Sequence, residues 1–214
     1  MRTLLIRHAQ TIWNASSRIQ GQADPPLSDE GRDQCARLRE RVKDAPIQRL
    51  YTSDLDRARR TAEAVAGDRE RLEPILDPRL REVDLGEWEG ATSASLETGW
   101  PDRYKAGLEN PSWDLVPGGE GEAAFQAGVV SAMGEVLGGA GDSETIAVVT
   151  HIGVIRLLLA TITGTQRNHM RWCWAIHNTS ITGIDSTPDF ARWRSGDIDM
   201  VAINDNEHLK AIPV

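Results

Sequence analysis

The chain has 214 residues, of which 40% are apolar and 26% charged, enough for a buried core of ordinary size. A formal net charge of -8 argues against non-specific binding to nucleic acid or to an anionic membrane, because both draw on a positive field. The two cysteines, Cys35 and Cys173, stand far apart and outside any metal-ligand spacing, so neither a disulfide framework nor a zinc site is expected.

In chain order, the first predicted element is an apolar run over residues 3–6 that stops abruptly at Arg7 and His8. Such a run reads as a buried strand whose C-terminal end delivers polar side chains, where open α/β sheets keep their ligand sites. It begins two residues into the chain, which leaves no room for a signal peptide, and no later apolar stretch approaches membrane-spanning length. A cytoplasmic location is therefore expected. Residues 12–26 carry few periodic apolar positions, as a loop over the strand end would; within it Arg18 reads equally as a substrate contact and as a solvated side chain. Ser28, Asp29 and Glu30 open a predicted helix with Cys35, Leu38 and Val42 at helical spacing, ending before Pro46. Residues 47–52 give a second strand, residues 56–66 a helix ending near Gly67, and residues 74–77 a short third strand. This β-α-β-α order favours a parallel sheet.

Ser53 or Asp54 can cap the helix over residues 56–66, yet its first turns carry Arg57, Arg59 and Arg60. Cations at a helix N-terminus oppose the macrodipole. The conflict marks either a solvated basic face or an anion site, and the anion reading explains why the arginines come early. Residues 80–119, with Trp88, Trp100, Trp113 and several prolines and glycines, are too long for an ordinary connection and predict a partly helical cap, inserted at about 85–119. The tryptophans read as packing under that cap in preference to lining a substrate site. Residues 120–137 predict a helix ended by Gly138 and Gly139, and residues 144–150 a strand that ends at His151. Two strands thus each deliver a histidine. Runs at 180–185, 190–194 and 200–203 read as closing strands. His177 reads as structural, Asn178 as a residue approaching the pocket, and His169 and His208 as surface residues. The expected architecture is α/β, a three-layer α/β/α sandwich with a mostly parallel central sheet and a small cap insertion, in a single domain over residues 1–214.

Several motifs follow one another along the chain. Arg7-His8-Ala9-Gln10-Thr11, with Asn14 downstream, is followed by the segment from Gly21 to Ser28 and by Ser53-Asp54-Leu55-Asp56-Arg57-Ala58-Arg59-Arg60-Thr61-Ala62. Leu80-Arg81-Glu82 and Gly86-Glu87-Trp88-Glu89-Gly90 come next, then Pro117-Gly118-Gly119-Glu120 and Thr150-His151-Ile152-Gly153-Val154-Ile155-Arg156. The set resembles the histidine phosphatase superfamily, which includes cofactor-dependent phosphoglycerate mutases and many phosphatases, and the likeness points to its phosphatase branch. Two positions depart from that pattern: Ala9 replaces a glycine, and Ile152 stands where the second histidine is normally followed by glycine. A positive φ at position 9 would strain alanine by roughly 1 kcal/mol, which the fold is expected to tolerate. Ile152 keeps the backbone N–H that the resemblance puts near a phosphate, while its side chain narrows the pocket.

A neutral imidazole is one of the few side chains able to attack phosphorus near pH 7, which makes His8 the candidate nucleophile. Arg7, Arg57 and His151 suit the fixed positive charge that a phosphoryl group in transfer requires on its equatorial oxygens. The resemblance implies that Glu82 is the general acid and that Asn14 and Gln20 join Arg7, Arg57 and the Ile152 N–H in the phosphate pocket. Taken without the resemblance, Glu82 beside Arg81 reads as half of a surface ion pair. Three function classes stand. The first is a metal-independent, histidine acid phosphatase-like phosphomonoesterase that hydrolyses a small phosphorylated metabolite through a phosphohistidine. The others are a cofactor-dependent phosphoglycerate mutase and a non-catalytic phosphate-binding module. The short insertion after Gly90, with only Arg103 and Lys105 as cations, favours the phosphatase over the mutase. The implied partner is a small phosphorylated metabolite, with no cofactor, metal, nucleic acid or membrane, and a homodimer is left open.

Overall fold

The computed structural model describes residues 1–165, 175–194 and 198–210. Within them β1 (Arg2–Arg7), β2 (Ile47–Thr52), β3 (Pro74–Leu76), β4 (Thr145–Thr150), β5 (Ile181–Ser186) and β6 (Ile198–Asp205) form one sheet in the order β3-β2-β4-β1-β5-β6. The first four of that order run parallel, and β5 and β6 add an antiparallel edge. β4 is buried at every position, as an apolar strand covered on both faces should be. Its side chains alternate between two cores: Ile146 and Val148 join Leu5 of β1 on one face, Ala147 and Val149 join Ile6 on the other.

Helices cover both faces, which gives the three-layer α/β/α arrangement. On the Ile6 side lie α2 (Asp29–Val42), through Leu38 and Val42, and α3 (Asp56–Ala66), through Ala58, Ala62 and Val65. On the Leu5 side lie α6 (Gly121–Gly138), through Val129, Met133 and Leu137, and α7 (Ile152–Thr163), through Ile155, Leu158 and Leu159. Ser28 caps α2 as its sequence suggests, its hydroxyl accepting from Gly31 N–H at 3.0 Å. Gly31 also lets α2 approach the strand end, since a Cβ there would lie 2.0 Å from the Gln10 carbonyl oxygen. No helix among the described residues is long and apolar enough to cross a membrane.

The cap insertion is partly helical, with α4 (Ser93–Gly99) and α5 (Pro101–Glu109) between single 3-10 turns at Gly86–Trp88 and Trp113–Leu115. Its two ends are tied at a neck. Glu87 N–H donates to Pro117 O at 3.0 Å, and Asp84 N–H donates to the Glu120 carboxylate at 2.7 Å. Gly86, at φ +41, stands so close to Pro117 that a Cβ would lie 2.4 Å from its oxygen. That contact is the physical reason for the Gly86 and Pro117-Gly118-Gly119-Glu120 motifs.

Four expectations are corrected. Phe190–Arg194 is a 3-10 helix and not a closing strand, because Phe190 and Trp193, three residues apart, both turn into the core. The loop after β1 contains a short helix, α1 (Ile12–Ala15), closed by a reciprocal Thr11–Asn14 capping box. Neither Ser53 nor Asp54 caps α3, whose N-cap is Leu55; Asp24 from the distant loop accepts from the Asp56 and Arg57 N–H groups instead. His208 is half-buried against Thr179 Oγ1, at 3.1 Å, and not a surface residue. Cys173 and His169 lie outside the described residues.

Candidate active site

The carboxyl ends of three adjacent parallel strands, β2, β4 and β1, supply the cluster. His8 follows β1 and its N–H donates to Thr150 O at 2.9 Å, which sets it beside His151 at the end of β4; the two rings stand 5.1 Å apart. From the other side Asn178 Nδ2 and Thr179 N–H donate to the carbonyls of His8 and Arg7, at 2.8 and 2.9 Å. Asn178 thus braces the backbone of the strand end. Its amide also meets Asn14 Oδ1 at 3.4 Å, while Gln20 Oε1 accepts from Thr11 Oγ1 at 2.9 Å, so Asn14 and Gln20 are both brought to this loop.

His8 is 3% exposed, and its Nδ1 lies 2.7 Å from the Ala9 carbonyl oxygen. A carbonyl only accepts, so Nδ1 carries the proton and Nε2 carries the lone pair. Burial holds the His8 pKa well below the ordinary histidine value, and Arg57 and Arg7 push it the same way, so the ring is neutral at pH 7. Ala9 is fully buried, with its N–H on Thr61 Oγ1 at 2.9 Å, and it is not among the residues of positive φ. The strain foreseen for alanine at position 9 does not arise.

His151 is fully buried with neither ring nitrogen hydrogen-bonded. Burial, then Arg57, His8 and Arg7, hold its pKa well below the ordinary value, so it stands here as a neutral ring and not as the fixed cation expected from sequence. Arg7 donates Nη1 to Ile176 O at 2.6 Å; burial lowers its pKa to about 10, against the nearby Glu82 carboxylate, and it stays charged at neutral pH. Arg57 is more committed than a free fork: Nη2 donates to Gly21 O and Nη1 to Ala23 O, each at 2.6 Å. The Nε groups of Arg7 and Arg57 and both nitrogens of His151 remain buried without a protein partner. A buried polar group left unpaired is destabilising by about 1–3 kcal/mol, so a cluster of such donors fits an anion that would satisfy them.

Glu82 is 9% exposed and lies at the N-terminus of α7. Its carboxylate accepts from Gly153 N–H and from Val83 N–H, both at 3.1 Å. Gly153 is needed for that seat, since a Cβ there would fall 2.0 Å from Glu82 Oε1. The ion-pair reading of Glu82 with Arg81 is overturned: Arg81 forms a bidentate pair with Asp54, at 2.6 and 2.5 Å. The early arginines of α3 divide their work, for Arg57 enters the cluster while Arg59 and Arg60 pair with Asp56 at the surface. Arg18 is exposed and ties the loop to Gly90 O at 2.8 Å, away from the cluster.

A model of the histidine phosphatase superfamily, branch 1, matches residues 3–198. The chain belongs to this superfamily. It is 35% identical over 188 residues to a protein of Erwinia tasmaniensis named "Probable phosphoglycerate mutase GpmB", covering 86% of this chain and 85% of that one. A glucosyl-3-phosphoglycerate phosphatase of Mycolicibacterium vanbaalenii is 34% identical over 169 residues, covering 76% and 74%. The crystal structure of the alpha-ribazole phosphatase from Shigella flexneri superposes with a TM-score of 0.80 at 27% identity, covering 96% of each chain.

Two residues of this histidine phosphatase superfamily member went unassigned in the sequence reading although both lie within its motifs. Asp24 caps α3 and meets Arg57 Nη1 at 3.4 Å. The apolar Leu55 at the start of α3 is the signal for it, since a helix whose own flank offers no acceptor needs one from elsewhere. Glu89 accepts from Gln22 and Ala23 N–H, at 2.6 and 2.8 Å, gripping the loop that Arg57 holds from the other side. Gly21, at φ +54, makes the approach feasible, because a Cβ would lie 2.1 Å from Glu89 Oε1. Ile152 opens α7 and packs partly on the core, with its side chain at the edge of a cleft beneath the cap.

Proposed function

We propose that this protein is a phosphomonoesterase that transfers the phosphoryl group of a small metabolite to His8 and then to water. The observation that carries this reading is a neutral imidazole with a free Nε2 lone pair beside the buried, unpartnered donors of Arg7, Arg57 and His151. In the first step Nε2 attacks phosphorus, the bond from phosphorus to the alcohol oxygen breaks, and Glu82, acting in its carboxylic acid form, gives that oxygen a proton and is left as the carboxylate. In the second, Glu82 takes a proton from water, which attacks phospho-His8 and returns the neutral ring and inorganic phosphate. Arg7, the Arg57 Nε and His151 hold the equatorial oxygens; Asn14, Gln20 and the Ile152 N–H line the rim of the same pocket. A phosphate dianion favours a proton on His151, so the neutral ring gains its charge on binding.

The named phosphatase relatives support hydrolysis, and the positive side chains support chemistry that needs no metal. Among the described residues no three His, Cys, Asp or Glu side chains group as ligands. The name of the Erwinia relative favours a second reading, a mutase that returns the phosphoryl group to bound product. The separating experiment quenches the reaction with labelled phosphomonoester, maps the label, and compares phosphate release with conversion of 3- to 2-phosphoglycerate. Acid-labile label on His8 with release faster than conversion is expected. Label on another residue would sink the nucleophile, faster conversion would favour the mutase, and activity lost to chelation and restored by a divalent cation would overturn the metal-free step.

A further inference from the structure

A cleft of about 320 Å³ opens beneath the cap, and Glu82, Ile152 and Gly153 form its inner end. Its volume lies near the lower end of the range for small-molecule sites, roughly 300–1,000 Å³. Leu96 and Leu108 line it from the two cap helices, with Tyr104 between them in sequence and Trp88 and Trp113 from the flanking 3-10 turns. The cation in the described lining is Arg156, one turn along α7 from Ile152 and electrostatically coupled to Arg7, hence at the phosphate end. The outer walls are mainly apolar and aromatic, broken by Ser93, Ser112 and the buried, unpartnered Trp88 N–H, and Leu108 carries the apolar character to the mouth, where it is 52% exposed.

We propose that this cleft is the leaving-group site and that it takes the apolar body of an alkyl or aryl phosphomonoester. The inference rests on the phosphatase reading: a general acid must touch the oxygen that departs, so whatever is attached to that oxygen extends from Glu82. A second cavity, of about 250 Å³, also touches Glu82, but its walls carry Arg79, Arg81 and Glu120, and neither Ile152 nor Gly153 lines it. Those arginines are already paired, Arg79 with Asp77 and Glu135 and Arg81 with Asp54. The apolar cleft is the one adjoining both Glu82 and the residues that follow His151. A carboxylate or a ring of hydroxyls would find only the Trp88 N–H and the hydroxyls of Ser93, Tyr104 and Ser112 among outer walls that are otherwise apolar, so most of its polar surface would lose water without gaining partners, whereas an alkyl chain or aromatic ring is buried there favourably.

The test uses straight-chain alkyl phosphates from ethyl to octyl, which hold leaving-group chemistry nearly constant, beside 3-phosphoglycerate and glucose 6-phosphate. Burial of each methylene predicts a rise in kcat/KM of about fourfold until the cleft is filled. A flat series, or turnover of the polar esters above the octyl ester, would overturn the inference. Binding of ethyl- and octylphosphonate, followed by calorimetry, separates this from the chemistry. Length-dependent binding without turnover would defeat the phosphatase reading and keep the cleft assignment; equal binding would defeat the cleft whatever the turnover. Leu108→Asp changes an exposed side chain and should flatten the length dependence, and an unchanged slope in a folded variant would place the chain elsewhere.

Discussion

The cluster at the sheet end and the cleft under the cap meet at Glu82, and they are built in opposite ways. In the cluster three side chains are held by backbone carbonyls, His8 by Ala9 O, Arg7 by Ile176 O and Arg57 by Gly21 and Ala23 O, while His151 is held by burial alone. These supports belong to loops at the sheet end, held there by contacts such as Ala9 N–H on Thr61 and Glu89 on the Gln22 and Ala23 N–H groups. In the cap, α4 buries only Leu96 and α5 buries nothing fully, so its inner face is set by how two short helices lean on one another. On the proposed reading, the chemistry is held by the part of the fold that resists change, and the group carried by the phosphate by the part that tolerates it.

Variants on either side of Glu82 should behave differently, and the largest effect tests the cluster alone. His8→Ala removes the proposed nucleophile and is expected to lower kcat by about 10⁴-fold or more on every ester alike, measured by phosphate release. A loss that depends on the alcohol would break the division. Glu82→Gln acts at the border. It should slow phosphorylation of His8 by about 100- to 10,000-fold for an alkyl phosphate and far less for p-nitrophenyl phosphate, whose leaving group needs no proton. Equal slowing, followed by rapid quench, would remove Glu82 as the acid.

Gly153→Ala is a finer instrument, because its Cβ would displace the Glu82 carboxylate without touching His8. A displacement on the order of 1 Å predicts a fall in kcat of about 100-fold for alkyl esters. An unchanged kcat would mean that Glu82 acts from another position. The smallest effect is on stability. His8 and His151 are held neutral by burial, with folded-state pKa values below the unfolded value, so they bind protons on unfolding. The stability they confer is present above about pH 6.5 and lost as the pH falls below it, at up to about 1.4 kcal/mol per unit for each ring. Thermal melts between pH 7.5 and 5 should show that slope, and His151→Gln should reduce it while Leu108→Asp should not.

Much of the cluster was legible because strand ends are legible: apolar runs that stop at Arg7-His8 and at His151 mark their own C-terminal ends, and parallel order brings such ends together. Family order supplied Glu82, which local sequence alone would have assigned to Arg81. What could not be read were contacts between distant segments. Asp24 capping α3, Arg57 holding the loop carbonyls and Asp54 taking Arg81 each depend on approach across more than twenty residues, and no local propensity records it. The neutral state of His151 was hidden for a related reason, since it follows from complete burial. Phe190–Arg194 was misread because a short run with two large aromatics fits a strand and a 3-10 turn equally well.

The sheet order carries a consequence for how the molecule is made. β1 and β2 do not pair with each other; each pairs with β4, whose residues are synthesised more than ninety positions after β2 ends. At about 5–20 residues per second a ribosome takes roughly 5–20 s to cover that interval. Throughout it the nascent chain presents β1 and β2 each with an edge that awaits β4, the kind of template on which chains join one another. Chaperone occupancy should rise once β2 emerges and fall only after β4 and α7 have left the exit tunnel, and chains stopped short of β4 should aggregate instead of retaining partial activity.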